Sequence, residues 1–160
     1  ARMRRLKPDL NTYSAAASAC EKCQQWEQAL QLMVGLSQQR LRPSTVAYNV
    51  AVSACERGRQ WGCALRFLDE LGRDRVGADV ITYSAAVSAC RAKRGWWHAL
   101  RLLGMALRRR VQPNAITFSA AMSACEMDQQ WLHVLWLLEK SWRCQVLPNV
   151  RIYAAAIVAC

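Results

Sequence analysis

Acidic side chains are scarce in this chain of 160 residues: 11 Asp and Glu stand against 22 Lys and Arg, a formal net charge of +11 at pH 7. The few carboxylates are scattered, no nucleophile–base pairing stands out, and no Gly-rich phosphate loop is present, so no enzyme site is expected. No apolar run reaches the ~18 residues that would suggest a membrane span, so no membrane partner is expected. The 4 prolines and 7 glycines form no Pro-rich or Gly/Ser-rich linker, which leaves no internal domain boundary. Low-complexity tracts are also missing, and a hydrophobic content of 53% excludes a disordered chain. The surplus of positive charge suits a polyanionic partner such as nucleic acid or an anionic membrane surface, of which nucleic acid is the expected one.

What the chain has in abundance is repetition. Asn11-Thr-Tyr-Ser-Ala-Ala-Ala-Ser-Ala-Cys20 returns as Ala47–Cys55, Thr82–Cys90 and Thr117–Cys125, and more loosely as Ile152–Cys160. Cys20, Cys55, Cys90, Cys125 and Cys160 are 35 residues apart, and so are Tyr13, Tyr48, Tyr83, Phe118 and Tyr153. Trp26, Trp61, Trp96 and Trp131 keep the same spacing. A fixed period of this size means a stacked repeat architecture. Complete repeats are 10–44, 45–79, 80–114 and 115–149; residues 1–9 read as the tail of a preceding repeat and 150–160 as the first helix of a fifth. Solenoids normally carry polar capping repeats, and neither end shows one. The expectation is a segment of a longer array, with any targeting peptide upstream.

Within the first repeat, Tyr13, Ala16, Ala17 and Cys20 fall on one helical stripe, and Trp26, Ala29, Leu30 and Met33 on another. The polar stretch 21–25 between them is a turn, and Pro43 ends the second helix. Each repeat is therefore helix–turn–helix. Ala and Ser dominate the first helix and allow close helix approach, whereas the tryptophan supplies bulk to the second. The fold class expected is all-α, a right-handed α-solenoid of stacked helix pairs with its tryptophans in the core.

The 8 cysteines suggest disulfides only until they are placed. Five occupy one equivalent place per repeat, where neighbouring helices lie roughly 8–10 Å apart. A disulfide needs Cα atoms within about 7 Å. The Cys20–Cys23 pair recurs in no other repeat, and His98 and His133 have no thiol pair nearby. Reduced, core-filling thiols are expected, with no metal and no cofactor.

Subtracting the core leaves two polar columns. The fifth place of each repeat holds Ser14, Asn49, Ser84, Ser119 and then Ala154; the last place holds Asp9, Ser44, Asp79, Asn114 and Asn149. Short polar residues before a helix are ordinary N-caps, which is the plain explanation of the last column. The plain explanation of the fifth is a polar residue tolerated on a helix of small side chains. The third repeat, 80–114, has no acidic residue and carries Arg91, Lys93, Arg94, Arg101 and the run 108–110. Such charge is either a solvated face or a phosphate-facing patch.

The 35-residue period, Thr-Tyr-Ser/Asn opening the first helix, Ala-Leu in the second and Pro-Asn at the end together resemble the pentatricopeptide repeat family, most clearly from Val80 to Asn114. The Ser-Ala-Cys and Trp spellings resemble Cys- and Trp-bearing repeats of plastid-containing eukaryotes. The resemblance implies single-stranded RNA as partner, one base per repeat read by two or three side chains, in organellar RNA processing, stability, editing or translation. It implies a chloroplast setting, with the mitochondrion as alternative, and no small-molecule substrate. It makes Ser14 with Ser44, Asn49 with Asp79, Ser84 with Asn114 and Ser119 with Asn149 the base-reading pairs. Asn with Asp resembles the uridine-type pair and Ser with Asn the adenine-type pair, so the four repeats would face N-U-A-A from 5′ to 3′. Stacking falls to Val46, Ile81 and Ile116 at the second place, and phosphate contact to Lys22 and Arg57. The chain departs from the family pattern at Gly77-Ala-Asp79, which lacks the proline, and at Val134, which replaces an alanine. The competing reading is a peptide- or protein-binding tetratricopeptide-like scaffold, but those repeats run 34 residues with a Gly/Tyr signature that is missing here. Protein partners would be held by parts of the protein outside these residues.

Overall fold

The computed structural model describes residues 15, 19, 26–38, 44–73, 77–91, 95–147 and 149–159. Ser14, Lys22, Cys20, Cys23 and Cys160, and the side chains of Trp26 and Arg151, lie outside what is described. Eight helices follow one another among these residues: α1 (Trp26–Gln38), α2 (Thr45–Arg57), α3 (Trp61–Arg73), α4 (Val80–Ala89), α5 (Trp96–Arg108), α6 (Ala115–Met127), α7 (Trp131–Arg143) and α8 (Val150–Ala159). No strand is present among them.

The helix starts are written in the last column of the repeat. Side chains of Ser44, Asp79 and Asn114 accept hydrogen bonds from the backbone N–H three residues on, at 3.3, 2.8 and 3.0 Å, and Asn149 Oδ1 accepts from Ile152 N–H at 3.1 Å. Each cap satisfies a donor that the helix cannot pair internally. The helix ends use a less usual device. Arg59, Arg110, Gln129 and Gln145 take φ of 51°, 59°, 55° and 56°, a left-handed conformation usually left to glycine. The chain then turns back so that the next N–H reaches a carbonyl of the last helical turn, as Gln60 N–H does to Cys55 at 2.9 Å.

Helices α2, α4, α6 and α8 pack directly on one another. Helices α3, α5 and α7 each pack between the first helix of their own repeat and that of the next, and meet one another only through long side chains. The sequence explains the asymmetry, because the first helices are lined with Ala, Ser, Thr and Cys and can approach closely. Ala47, Ala51, Ala86, Ala89, Ala121 and Ala124 are fully enclosed, with Tyr48, Tyr83 and Phe118 filling the space beside them. Tight packing on one side and spread helices on the other make an α-solenoid whose inner, grooved face belongs to the first helices.

Cys55, Cys90 and Cys125 are buried and free, and burial pushes each thiol up to about 12. They are apolar filling, held as neutral thiols at neutral pH. No group of three metal-ligating side chains occurs among the described residues.

The tryptophans require a correction. They were expected in the core, but Trp61 and Trp96 are only half-buried against it and Trp131 is 50% exposed. Their partner is the second helix of the following repeat. His98 stacks on Trp61 with ring centroids 4.0 Å apart and planes 17° apart, and His133 sits against Trp96 at 4.8 Å. The 35-residue spacing of the two histidines therefore records an inter-repeat contact. Burial, with Arg101 adding to it, lowers the pKa of His98, which favours the neutral ring on that stack. Tyr153 is likewise 47% exposed, unlike Tyr48 and Tyr83, because the described residues pack on α8 from one side only.

Candidate nucleic-acid interface

One stripe of each described first helix turns toward the groove. Residues three, seven and ten along from the second place return to the same side at 3.6 residues per turn. On α2 this stripe is Val46, Asn49, Ser53 and Glu56 with Arg57; on α4 and just beyond, it is Ile81, Ser84, Ser88 and Arg91. Val46, Ile81 and Ile116 are 61%, 61% and 62% exposed, three large aliphatic side chains held at equivalent places and left uncovered by the fold. Isolated exposed apolar residues are common. These three form a row of matched exposure, one per repeat, along the first helices.

Between these aliphatic steps lie the polar pairs, and the structure joins the fifth place of one repeat to the last place of the same repeat. Asn49 Nδ2 donates to Asp79 Oδ2 at 3.3 Å. Ser84 Oγ lies 3.5 Å from Asn114 Oδ1. A third residue joins each pair, the threonine at the third place of the next repeat. The Thr82 hydroxyl contacts both Asn49 Oδ1 and, at 2.8 Å, Asp79 Oδ1. The Thr117 hydroxyl lies 2.7 Å from Ser84 Oγ and 3.0 Å from Asn114 Oδ1. Thr82 and Thr117 are fully buried. The last-column residues are therefore caps and groove residues at once, and the capping explanation does not displace the other. Ser119 and Asn149 meet no such hydroxyl, because the third place of the next repeat is Ile152.

These bonds decide which hydrogen-bonding groups are left to a ligand. For Asp79, burial works to raise the pKa. The Thr82 N–H and hydroxyl, the Asn49 amide and the Ile81 N–H outweigh it and hold the carboxyl below its ordinary value. Asp79 is thus ionised and accepts only, while Asn49 keeps a second amide N–H to give. In the next repeat the single Ser84 proton is engaged, with the Val80 carbonyl at 2.7 Å as its nearest carbonyl acceptor, so Ser84 offers a lone pair. Asn114 Oδ1 accepts from both the Thr117 N–H and hydroxyl, each at 3.0 Å, which turns its NH2 outward as a donor. The polarity is opposite in the two repeats: donor then acceptor for Asn49 and Asp79, acceptor then donor for Ser84 and Asn114.

Farther along the groove a cleft of about 340 Å³ opens between the ends of α2 and α4, lined by Ser53, Glu56, Arg57, Arg59, Ser88 and Arg91. Three arginines and one glutamate line it, which makes the cleft net positive. Arg57 and Arg91 were singled out from the sequence, the second as part of the basic third repeat; Arg59, which joins them through the left-handed turn, was missed. The Thr82 and Thr117 bridges were also missed, although the repeated Thr before the aromatic carried the signal.

A sequence profile described as a pentatricopeptide repeat domain matches residues 1–57 and 66–127. No curated protein sequence matches the chain. The fold is similar to the pentatricopeptide repeat protein PPR10 in complex with an 18-nt psaJ RNA element, with a TM-score of 0.76 and 22% identity over 94% of this chain. A structure of PPR10 from maize is similar at a TM-score of 0.67 and 24% identity over 96% of this chain. In both cases the chain spans 22% of the length of its counterpart. The pentatricopeptide domain of Arabidopsis thaliana protein-only RNase P 1, in complex with tRNA, is similar at a TM-score of 0.80 and 17% identity, covering 91% of this chain and 77% of that one. With the profile spanning most of its length and the helix pairs stacked as a solenoid, the chain belongs to the pentatricopeptide repeat family.

Proposed function

We propose that this chain binds single-stranded RNA along the groove of its first helices, one base per repeat, as a sequence-selective scaffold without catalysis of its own. The observation that carries the reading is the alternation of exposed aliphatic steps with polar pairs of fixed and opposite polarity. Bases would insert between Val46, Ile81 and Ile116 and present their Watson–Crick edges to the pairs between. Uracil and guanine place an acceptor beside a ring N–H donor, whereas adenine and cytosine reverse that order. A site with inverted polarity therefore prefers the other class. Asn49 with Asp79 and Ser84 with Asn114 stand in that relation, in keeping with uridine at the second base and adenine at the third. Ser119 with Asn149 would read adenine at the fourth, and Ser14 with Ser44 leaves the first base open.

The arginine cleft takes a backbone phosphate in this reading, with Lys22 serving the preceding repeat. Duplex RNA does not fit, because its base edges are paired and its major groove is too deep and narrow for side chains. The neighbouring structures with RNA support the reading, and the family resemblance supports an organellar role in RNA processing, stability, editing or translation, with the chloroplast as the compartment.

Fluorescence anisotropy tests it, using a labelled single-stranded RNA containing U-A-A, the same strand in a duplex, and a salt titration. Binding should favour the single strand, and log Kd should rise with log salt by about 0.7 for each neutralised phosphate. Arg59→Gly removes a guanidinium while relieving the left-handed turn, so it should reduce the salt slope without loss of thermal stability. Arg91→Gln should reduce the slope as well. Tighter binding of the duplex, or a salt slope untouched by both variants, would defeat the proposal.

A further inference from the structure

The polar pairs are not alike in how firmly they are held, and the difference lies outside the pairs themselves. At the border of the second and third repeats Thr82 meets Asn49 and Asp79, and at the next border Thr117 meets Ser84 and Asn114. At the border before these the third place is Ala47, whose backbone N–H reaches Ser44 Oγ at 3.3 Å but which has no hydroxyl to add. At the border after them it is Ile152, and Asn149 Oδ1 has only that residue's N–H, at 3.1 Å. Ala47, Thr82, Thr117 and Ile152 are all fully buried, so the third-place side chain is held fixed at every border, and only Thr82 and Thr117 bring a hydroxyl to it.

We propose that the third-place residue of the following repeat is a positioning residue for base selection, so that Thr82 and Thr117 make the second and third repeats discriminating while Ala47 and Ile152 leave the first and fourth permissive. The inference rests on the RNA-binding reading above and concerns how selectivity is distributed along the groove. Its physical basis is orientation. An amide turned by half a rotation exchanges donor for acceptor and so exchanges the class of base it suits. With the Thr82 hydroxyl held between Asn49 Oδ1 and Asp79 Oδ1, and Asp79 taking one Nδ2 hydrogen, the reversed amide would set Oδ1 against a carboxylate oxygen. Thr117 fills Asn114 Oδ1 a second time and meets Ser84 Oγ, which fixes both groups of that pair. Ser119 has no hydroxyl beside it, so its own proton can turn to a base of either class.

The experiment measures Kd for a set of single-stranded RNAs in which each of the four bases is changed in turn. In the wild-type chain, replacing the second or third base should weaken binding tenfold or more, and replacing the first or fourth about threefold or less. Thr82→Val should flatten the preference at the second base alone and Thr117→Val at the third alone, with the salt slope unchanged; Thr→Ser at either place should restore it. Ile152→Thr should sharpen the weak preference for adenine at the fourth base to the level of the third. A merely structural role for the threonines would lower the melting temperature and weaken all RNAs together, and that result would overturn the proposal. Equal discrimination at all four bases in the wild type would overturn it too, while leaving RNA binding itself intact. Failure of every RNA to bind would instead reject the underlying reading.

Discussion

Replacing Ile81 with alanine separates a residue that serves the fold from one that serves a ligand. Ile81 is 61% exposed, so the folded chain already leaves most of its apolar surface in water. Burying such a side chain completely is worth about 1.5–3 kcal/mol, so the part covered by the protein contributes about 1 kcal/mol or less. That corresponds to a melting temperature lower by about 2–4 °C for a chain of this size. The larger exposed part is available to RNA, and losing it should cost about 1–2 kcal/mol of binding, roughly 5–30-fold in Kd. This lies within the ~1–3 kcal/mol per base seen for stacking platforms. Leu132→Ala is the control, since Leu132 is equally exposed at 61% but lies on α7, a second helix away from the groove. It should leave Kd within about twofold, the scale of a surface change without a mechanism. Anisotropy titrations and thermal melts of the two variants decide the matter. If Ile81→Ala left Kd unchanged, or Leu132→Ala weakened binding as much, the aliphatic row would not be a base-covering surface.

Asp79 gives a pH prediction. Its folded pKa is depressed, so its contribution is present above the ordinary value of 3.8 and is lost as pH falls through the lower folded value. The stability difference between wild type and Asp79→Ala should be constant from pH 8 to 5, of the order of 1 kcal/mol for a lost N-cap, and should shrink below about pH 4. Urea melts across that range check it. The buried cysteines give another. Cys55, Cys90 and Cys125 should resist a thiol reagent at pH 8 in the native chain and react fully in denaturant, and metal analysis should find no stoichiometric zinc.

The repeat period, the helix pairs and the caps were legible in the sequence because each is a local rule repeated every 35 residues. Pro43 and Pro113 mark helix ends, and Ser44, Asp79 and Asn114 mark the starts that follow. The second-place aliphatics were legible as a column, although only the structure shows that Val46, Ile81 and Ile116 stand in water. The tryptophans were misplaced because a large aromatic on an apolar stripe reads as core. Its true partner, a histidine 37 residues on, belongs to no stripe of the same repeat. Thr82 and Thr117 were passed over for a related reason. A threonine at a helix start reads as part of a cap, and its contact with Asn49 or Ser84 crosses 33 residues of chain.

Base reading by paired polarity is tested by the double substitution Asn49→Ser with Asp79→Asn. With Thr82 already in place, it rebuilds at the second repeat the arrangement that Ser84, Asn114 and Thr117 form at the third. Neither change touches the buried aromatic and alanine core, and Asn retains the cap. Titration against RNAs differing only at the second base should show the preference move from U to A by tenfold or more, about 1.4 kcal/mol, with the other bases read as before. Equal weakening for all RNAs, or an unchanged preference for U, would mean that these residues serve as helix caps and packing alone.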